Sequence, residues 1–421
     1  MHKSVLAAAI VVAGPILGVA GLAGSASAVP ANVGGPANVG GPAKVGGPVN
    51  GGEPVTAASK PEPAALAGIS CLSTAFCMAV GAITPNMSTG VAAEDWTGSA
   101  WHRLSIGKPG GVSNVGLSAV SCPSSAECVA VGWGFKGDNE VPVAETWTQG
   151  RRGTTGGWKV SKPVVPGGNG LSTLDAISCP SASLCFAAGS ADEFGTVTAD
   201  QRPLAERWTP RGGWTRVTLP APPRGSSDNA LYGISCKTGT QCAAVGTYIK
   251  GSTQYGLIAQ LKGTTWAVST APTSANAIIY GVSCPSASLC VAVGGVSSTT
   301  GGHNLAERWS GGRWTESTPV GAGSFSSLTS VSCASATRCV ATGDTTSKAF
   351  IDTLDGTSWA KTAQTGSGGF TIAAAGDVSC FSTSTRAASC ALLGATTPFT
   401  ASARPLSAFR TGSTWKVVFT V

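Results

Sequence analysis

Fourteen cysteines hold most of the reactive chemistry of this 421-residue chain. They come as seven pairs: Cys71 and Cys77, Cys122 and Cys128, Cys179 and Cys185, Cys236 and Cys242, Cys284 and Cys290, Cys333 and Cys339, Cys380 and Cys390. Two thiols at such spacing can oxidise to a disulfide or ligate a metal. A structural zinc wants four ligands. Each pair supplies two, and the whole chain adds 3 His. Local disulfides are therefore the predicted state, and no metal or other cofactor is expected. Each bridge closes a loop small enough to constrain the unfolded chain by about 2 kcal/mol. Spacing alone leaves pairing between neighbouring cassettes open.

Carboxylates beside aromatics are the second set. Trp133, Phe135 and Asp138 fall in one predicted loop, with Lys136 and Glu140. Asp192, Glu193 and Phe194 fall in an equivalent loop, and Tyr248 and Tyr255 in a third. Flat rings stack on the C–H face of a sugar, and acids accept its hydroxyl protons. These eight residues form a candidate glycan-binding rim. Ordinary surface decoration is the competing reading. A carboxylate pair such as Asp138 with Asp192 also fits acid–base hydrolysis or elimination on a glycan. A further acid recurs two places before the third-strand aromatic position: Glu94, Glu145, Glu206, Glu307 and Asp352. A carboxylate ring for a cation is one reading. A polar tie between adjacent repeats is the preferred one.

Evidence for catalysis is thin. Apart from His2 at the start, the histidines are His102, after a repeat Trp, and His303, without an evident nucleophile. No Gly-x-Ser-x-Gly elbow, metal-ligand spacing or phosphate-cradling loop stands out. The Ser before each first cysteine recurs seven times, which marks a scaffold device rather than a nucleophile.

These residues sit in a repeat. Successive first cysteines lie 47 to 57 residues apart, and a period of that size indicates a repeat architecture. Each repeat holds four short segments rich in β-branched or aromatic residues and bounded by turns. The first ends in Ser-Cys, the second reads Cys-x-Ala-Val-Gly, and the third and fourth carry most of the Trp. Such segments read as strands. Four antiparallel strands repeated seven times predict an all-β chain, a seven-bladed β-propeller of four-stranded antiparallel blades. Small residues such as Ala292 and Gly294 are expected where blades crowd near the axis. Eleven of the 12 Trp are expected to pack blades, with Trp133 the exception. The second–third loops and the links between blades share one face, and that face is expected to bind. Ser190–Pro203 is the longest such loop.

The apolar strand ending Val293-Gly294-Gly295, then Trp314 and Pro319, resembles the kelch repeat. The resemblance covers roughly residues 66–421 and implies the propeller. The cysteine cassette is also similar to that of secreted actinobacterial repeat proteins.

At the start, a basic tip, the apolar run Val5–Ala23 and Ser25-Ala26-Ser27-Ala28 read as a signal peptide, residues 1–28. Residues 29–63 repeat Asn-Val-Gly-Gly-Pro-Ala and read as a disordered linker. Residues 64–421 read as one propeller domain. No second run of spanning length appears. The net charge of +7 comes with only 11% charged residues and no Lys/Arg cluster, so no nucleic-acid partner is expected. The expectation is a secreted monomer, extracellular or envelope-associated. Its partner is a glycan or an extracellular protein.

Overall fold

The computed structural model describes residues 64–83, 90–150, 156–166, 171–192, 201–273, 275–298, 301–317, 319, 326–345, 349–362, 372–382, 388–396, 406–411 and 414–418. The expected leader and linker lie outside the described residues. Among those described, no helix is long and apolar enough to cross a membrane. Among the described residues every regular element is a strand, and these strands form seven four-stranded sheets. The sheets span 64–103, 113–161, 172–216, 226–270, 277–317, 327–362 and 372–418, each an antiparallel meander in chain order. The fold is an all-β β-propeller with four-stranded antiparallel blades.

The strand composition explains this packing. Second strands such as Leu289–Val296 are buried at nearly every position rather than at alternate ones. Both of their faces therefore meet other sheets. Val245 and Ile258 of the fourth sheet pack with Ile279 and Leu305 of the fifth. Leu66 and Ala79 of the first sheet pack with Ala391 and Leu393 of the seventh. The first strands of successive sheets touch all the way round, and those of the first and last sheets touch each other. First strands therefore line the axis.

The cassette serves this ring. All seven cysteine pairs are disulfides within their own hairpins. The Ser before each first cysteine reaches the next sheet. Cys122, Cys179, Cys236, Cys284, Cys333 and Cys380 donate their backbone N–H to Ser70, Ser121, Ser178, Ser235, Ser283 and Ser332 respectively. Cys71 N–H donates to Ser379 Oγ at 2.9 Å and completes the circle. The seam between last and first sheets has an added clasp. Asp377 accepts from Ile69 N–H (3.0 Å), Ser330 Oγ (2.6 Å) and Val378 N–H (2.9 Å). It thereby bridges three sheets. At the same cassette position the other sheets carry Gly68, Ala119, Ala176, Gly233, Gly281 and Ser330.

Each first strand also contains a β-bulge four residues before its first cysteine. Ladder pairing skips Ala67, Ser118, Asp175, Tyr232, Tyr280 and Thr329. In the last sheet Gly376 and Asp377 are both skipped. The bulge pushes a carbonyl against the glycine that ends each Ala-Val-Gly. A Cβ on Gly246 would lie 1.9 Å from Ala230 O, and one on Gly294 1.9 Å from Ile278 O. This corrects the expected reason for Gly294: the crowding comes from its own sheet. Crowding between sheets occurs at Gly233, where a Cβ would meet Tyr280 O at 2.7 Å.

Tryptophans pair across the third and fourth strands, as in Trp96–Trp101 and Trp309–Trp314, each pair with centroids 5.8 Å apart. Trp359 Nε1 donates to Ser317 Oγ of the preceding sheet, so these rings tie neighbours together. The recurring acid does the same in two sheets. Glu206 accepts Val164 N–H (3.0 Å) and Glu307 accepts Thr273 N–H (2.9 Å), both from the preceding inter-sheet link. Glu94 pairs with Arg103 of its own sheet at 2.8 Å.

Candidate functional site

At the end opposite the disulfides the sheets stop being alike. In the second and fourth sheets the expected long loops are extended hairpins. The second strand of the second sheet runs Glu127–Lys136, turns at Gly137-Asp138, and returns as Asn139–Thr148. In the fourth sheet Gln241–Lys250 turns at Gly251-Ser252 into Thr253–Lys262. Gly137 (φ 63°) and Gly251 (φ 66°) supply the left-handed residue such tight turns need. Sequence reading missed this because the turn glycines stand alone between polar residues, which also suits a loop.

The predicted rim residues scatter over these hairpins. Trp133 and Phe135 lie on a strand, edge to face at 6.1 Å, with Trp133 covering Gly116. Asp138 is an exposed turn residue. Tyr248 is 4% exposed, stacks on Tyr255 at 5.2 Å and hydrogen-bonds Thr270 Oγ1. That pair packs its own sheet. Asp192 ends the strand Leu184–Asp192, and its Oδ2 accepts Leu171 N–H at 3.2 Å. Glu193 and Phe194 lie outside the described residues. The loop expected over Ser190–Pro203 is shorter, since strands run to Asp192 and resume at Gln201.

The structure gathers a different set around the axis. The bulged residues of sheets three to five are Asp175, Tyr232 and Tyr280, whereas elsewhere they are Ala67, Ser118, Thr329 and Gly376. A bulge frees its residue from the ladder and re-aims the side chain. Tyr232 and Tyr280, from adjacent sheets, bring their rings to 5.8 Å. Asp175 accepts Thr173 Oγ1 at 3.2 Å. It lies deep in the protein yet keeps partial exposure on a strand next to the axis. Burial raises its pKa to about 7, against the Thr173 hydrogen bond and with the negative Glu140 adding to the rise. Burial and then Asp192 raise Glu140. Burial lifts both tyrosines, and Asp175, Tyr280 and Asp228 add to it for Tyr232, so both phenols stay protonated. Asp228 has a left-handed backbone (φ 48°), like Asn114 and Asn276 at the same cassette position. That conformation is a repeated scaffold feature, which Asn and Asp tolerate.

Phe135 faces Glu140 across its hairpin. An arc of acids and rings thus runs from Phe135 and Glu140 past Asp192 and Asp175 to Tyr232 and Tyr280. The signal for it was present in the cassettes, since the place four before each first cysteine reads Ala, Ser, Asp, Tyr, Tyr, Thr, Gly. Only the register shows that this place is unpaired. Among the described residues no three His, Cys, Asp or Glu side chains converge to hold a metal ion.

No family model and no curated protein matches the chain. Several solved structures are similar. Chaetomium thermophilum Sqt1, bound to the N-terminus of ribosomal protein L10, is 9% identical with a TM-score of 0.48 and covers 83% of this chain and 85% of its own. AofleA from Arthrobotrys oligospora is 13% identical with a TM-score of 0.43, covering 71% and 86%. The β-propeller domain of the Trilobed protease from Pyrococcus furiosus, described as having an open velcro topology, is 9% identical with a TM-score of 0.46, covering 84% and 95%.

Proposed function

We propose that the chain is a secreted, non-enzymatic propeller of seven blades that binds or scaffolds at the end opposite its disulfides. Its partner is a cell-envelope glycan or an extracellular protein, and it acts as a monomer. The observation that carries this reading is where variation falls. One end repeats a cysteine hairpin seven times, while the other carries rings beside an acid on the extended hairpin of the second sheet. Seven disulfides suit an oxidising compartment. Rings such as Trp133 offer a stacking face, and Glu140 beside Phe135 offers an acceptor. The test is a glycan array probed with the intact protein and with Trp133→Ala. Retention of a glycan by the first and its loss by the second is expected. If the intact protein retains none at millimolar concentration, the glycan reading is overturned.

A further inference from the structure

We propose that the wall formed by Asp175, Tyr232 and Tyr280 binds an organic cation, an ammonium or guanidinium group. The three residues occupy equivalent bulges in adjacent sheets, so the ladder constrains none of them. The rest of the same ring is Ala67, Ser118, Thr329 and Gly376, all smaller than the tyrosines of the wall.

Charge decides the ligand class. The groups that act on the site are acidic: Glu140 on Asp175, Asp192 on Glu140, Asp175 and Asp228 on Tyr232. Enclosed carboxylates that repel one another are relieved by an incoming positive charge, and a neutral sugar brings none. Among the described residues Asp192 Oδ1 is shut off from solvent and has no hydrogen-bond partner, so they leave acceptor capacity in the cluster unfilled. Among the described residues the acids do not converge at metal-ligand distance. A compact divalent ion is therefore poorly served, whereas an extended cation can contact separate acceptors. The tyrosine rings, 5.8 Å apart and tilted by 35°, add faces that attract such a cation. The chain as a whole carries +7, so long-range steering does not favour cations and the selectivity is local.

The site does not depend on glycan binding at the hairpins: either can fail while the other stands. Calorimetric titration of the full chain with argininamide, tetralysine, glucosamine and neutral N-acetylglucosamine tests it. Saturable binding of a cation is expected, with N-acetylglucosamine silent at this site. Asp175→Asn and Tyr280→Leu should each weaken it about tenfold or more, roughly 1.4 kcal/mol. Asp355→Asn, exposed at the disulfide end, should leave it unchanged. Tighter tetralysine points to a basic peptide as the source, and tighter glucosamine to an amino sugar. No saturable heat from any cation at ~10 mM, well above a Kd of ~1 mM, overturns the proposal. So does unchanged affinity in Asp175→Asn. If that variant unfolds by circular dichroism, Tyr280→Leu carries the same test.

Discussion

The two ends of this propeller obey different rules. At the cysteine end, seven sheets repeat one hairpin, one disulfide and one Ser-to-Cys hydrogen bond into the next sheet. At the other end, sheets two and four grow hairpins, and the bulged position changes from Ala to Asp to Tyr. Uniformity marks what every seam needs, and variation marks what the seams tolerate. Stability should therefore be sensitive at the first end and near the axis, and largely indifferent at the turn tips.

Substitutions can break or sharpen that contrast. The largest loss is expected from Gly246→Ala, whose Cβ would sit 1.9 Å from Ala230 O and would force the bulge apart. About 3 kcal/mol, at the upper end of overpacking, should appear in urea unfolding. Gly137→Ala meets open space and bears only its left-handed backbone, about 1 kcal/mol. Equal losses from these two glycines would erase the distinction between the ends. Asp377→Ala should cost about 2 kcal/mol, because Ile69 N–H loses its acceptor at the closing seam and Val378 N–H keeps only its longer bond to Ser330 Oγ. Replacing Cys236 and Cys242 together by Ala should cost about 2 kcal/mol by the chain-entropy argument, with the sheet retained. Ser178→Ala should cost about 1 kcal/mol. Asp138→Asn, at the exposed turn, should fall within about 0.5 kcal/mol of zero.

Acidity should act through the blade carboxylates rather than the tips. Burial raises Glu145, Glu206 and Asp352 to about 7. Unfolded, such groups titrate near 4. Between those values the folded chain holds protons that the unfolded chain releases. Their contribution to stability is full below about pH 4, declines as pH rises to about 7, and is flat beyond. Melting temperature should thus be higher at pH 5 than at pH 7.5. A melting temperature that rises over that interval would remove these groups as the controlling ones.

Spacing and composition made the scaffold readable. Cysteines separated by a short turn favoured their hairpin partner, although spacing left pairing between cassettes open, and a Ser repeated seven times announced a shared scaffold role. Paired Trp on consecutive strands pointed to packing. The axial set was hidden for a physical reason. Asp175 and Tyr280 look like ordinary strand residues until the register shows that the ladder skips them. Tyr248 failed in the opposite sense: a tyrosine next to a polar turn reads as exposed, yet the hairpin extends past it and buries the ring. Asp377 was equally silent, since nothing local distinguishes a clasp from a surface acid.

The bulges have a consequence for how such a protein can change over time. A residue that takes no part in its own sheet's pairing can be exchanged without recasting the architecture. Copying the cassette therefore supplies several independently editable positions pointed at one shared space. New recognition can then arise by swapping single letters there, while the sulfur-stapled rim goes on specifying the shape.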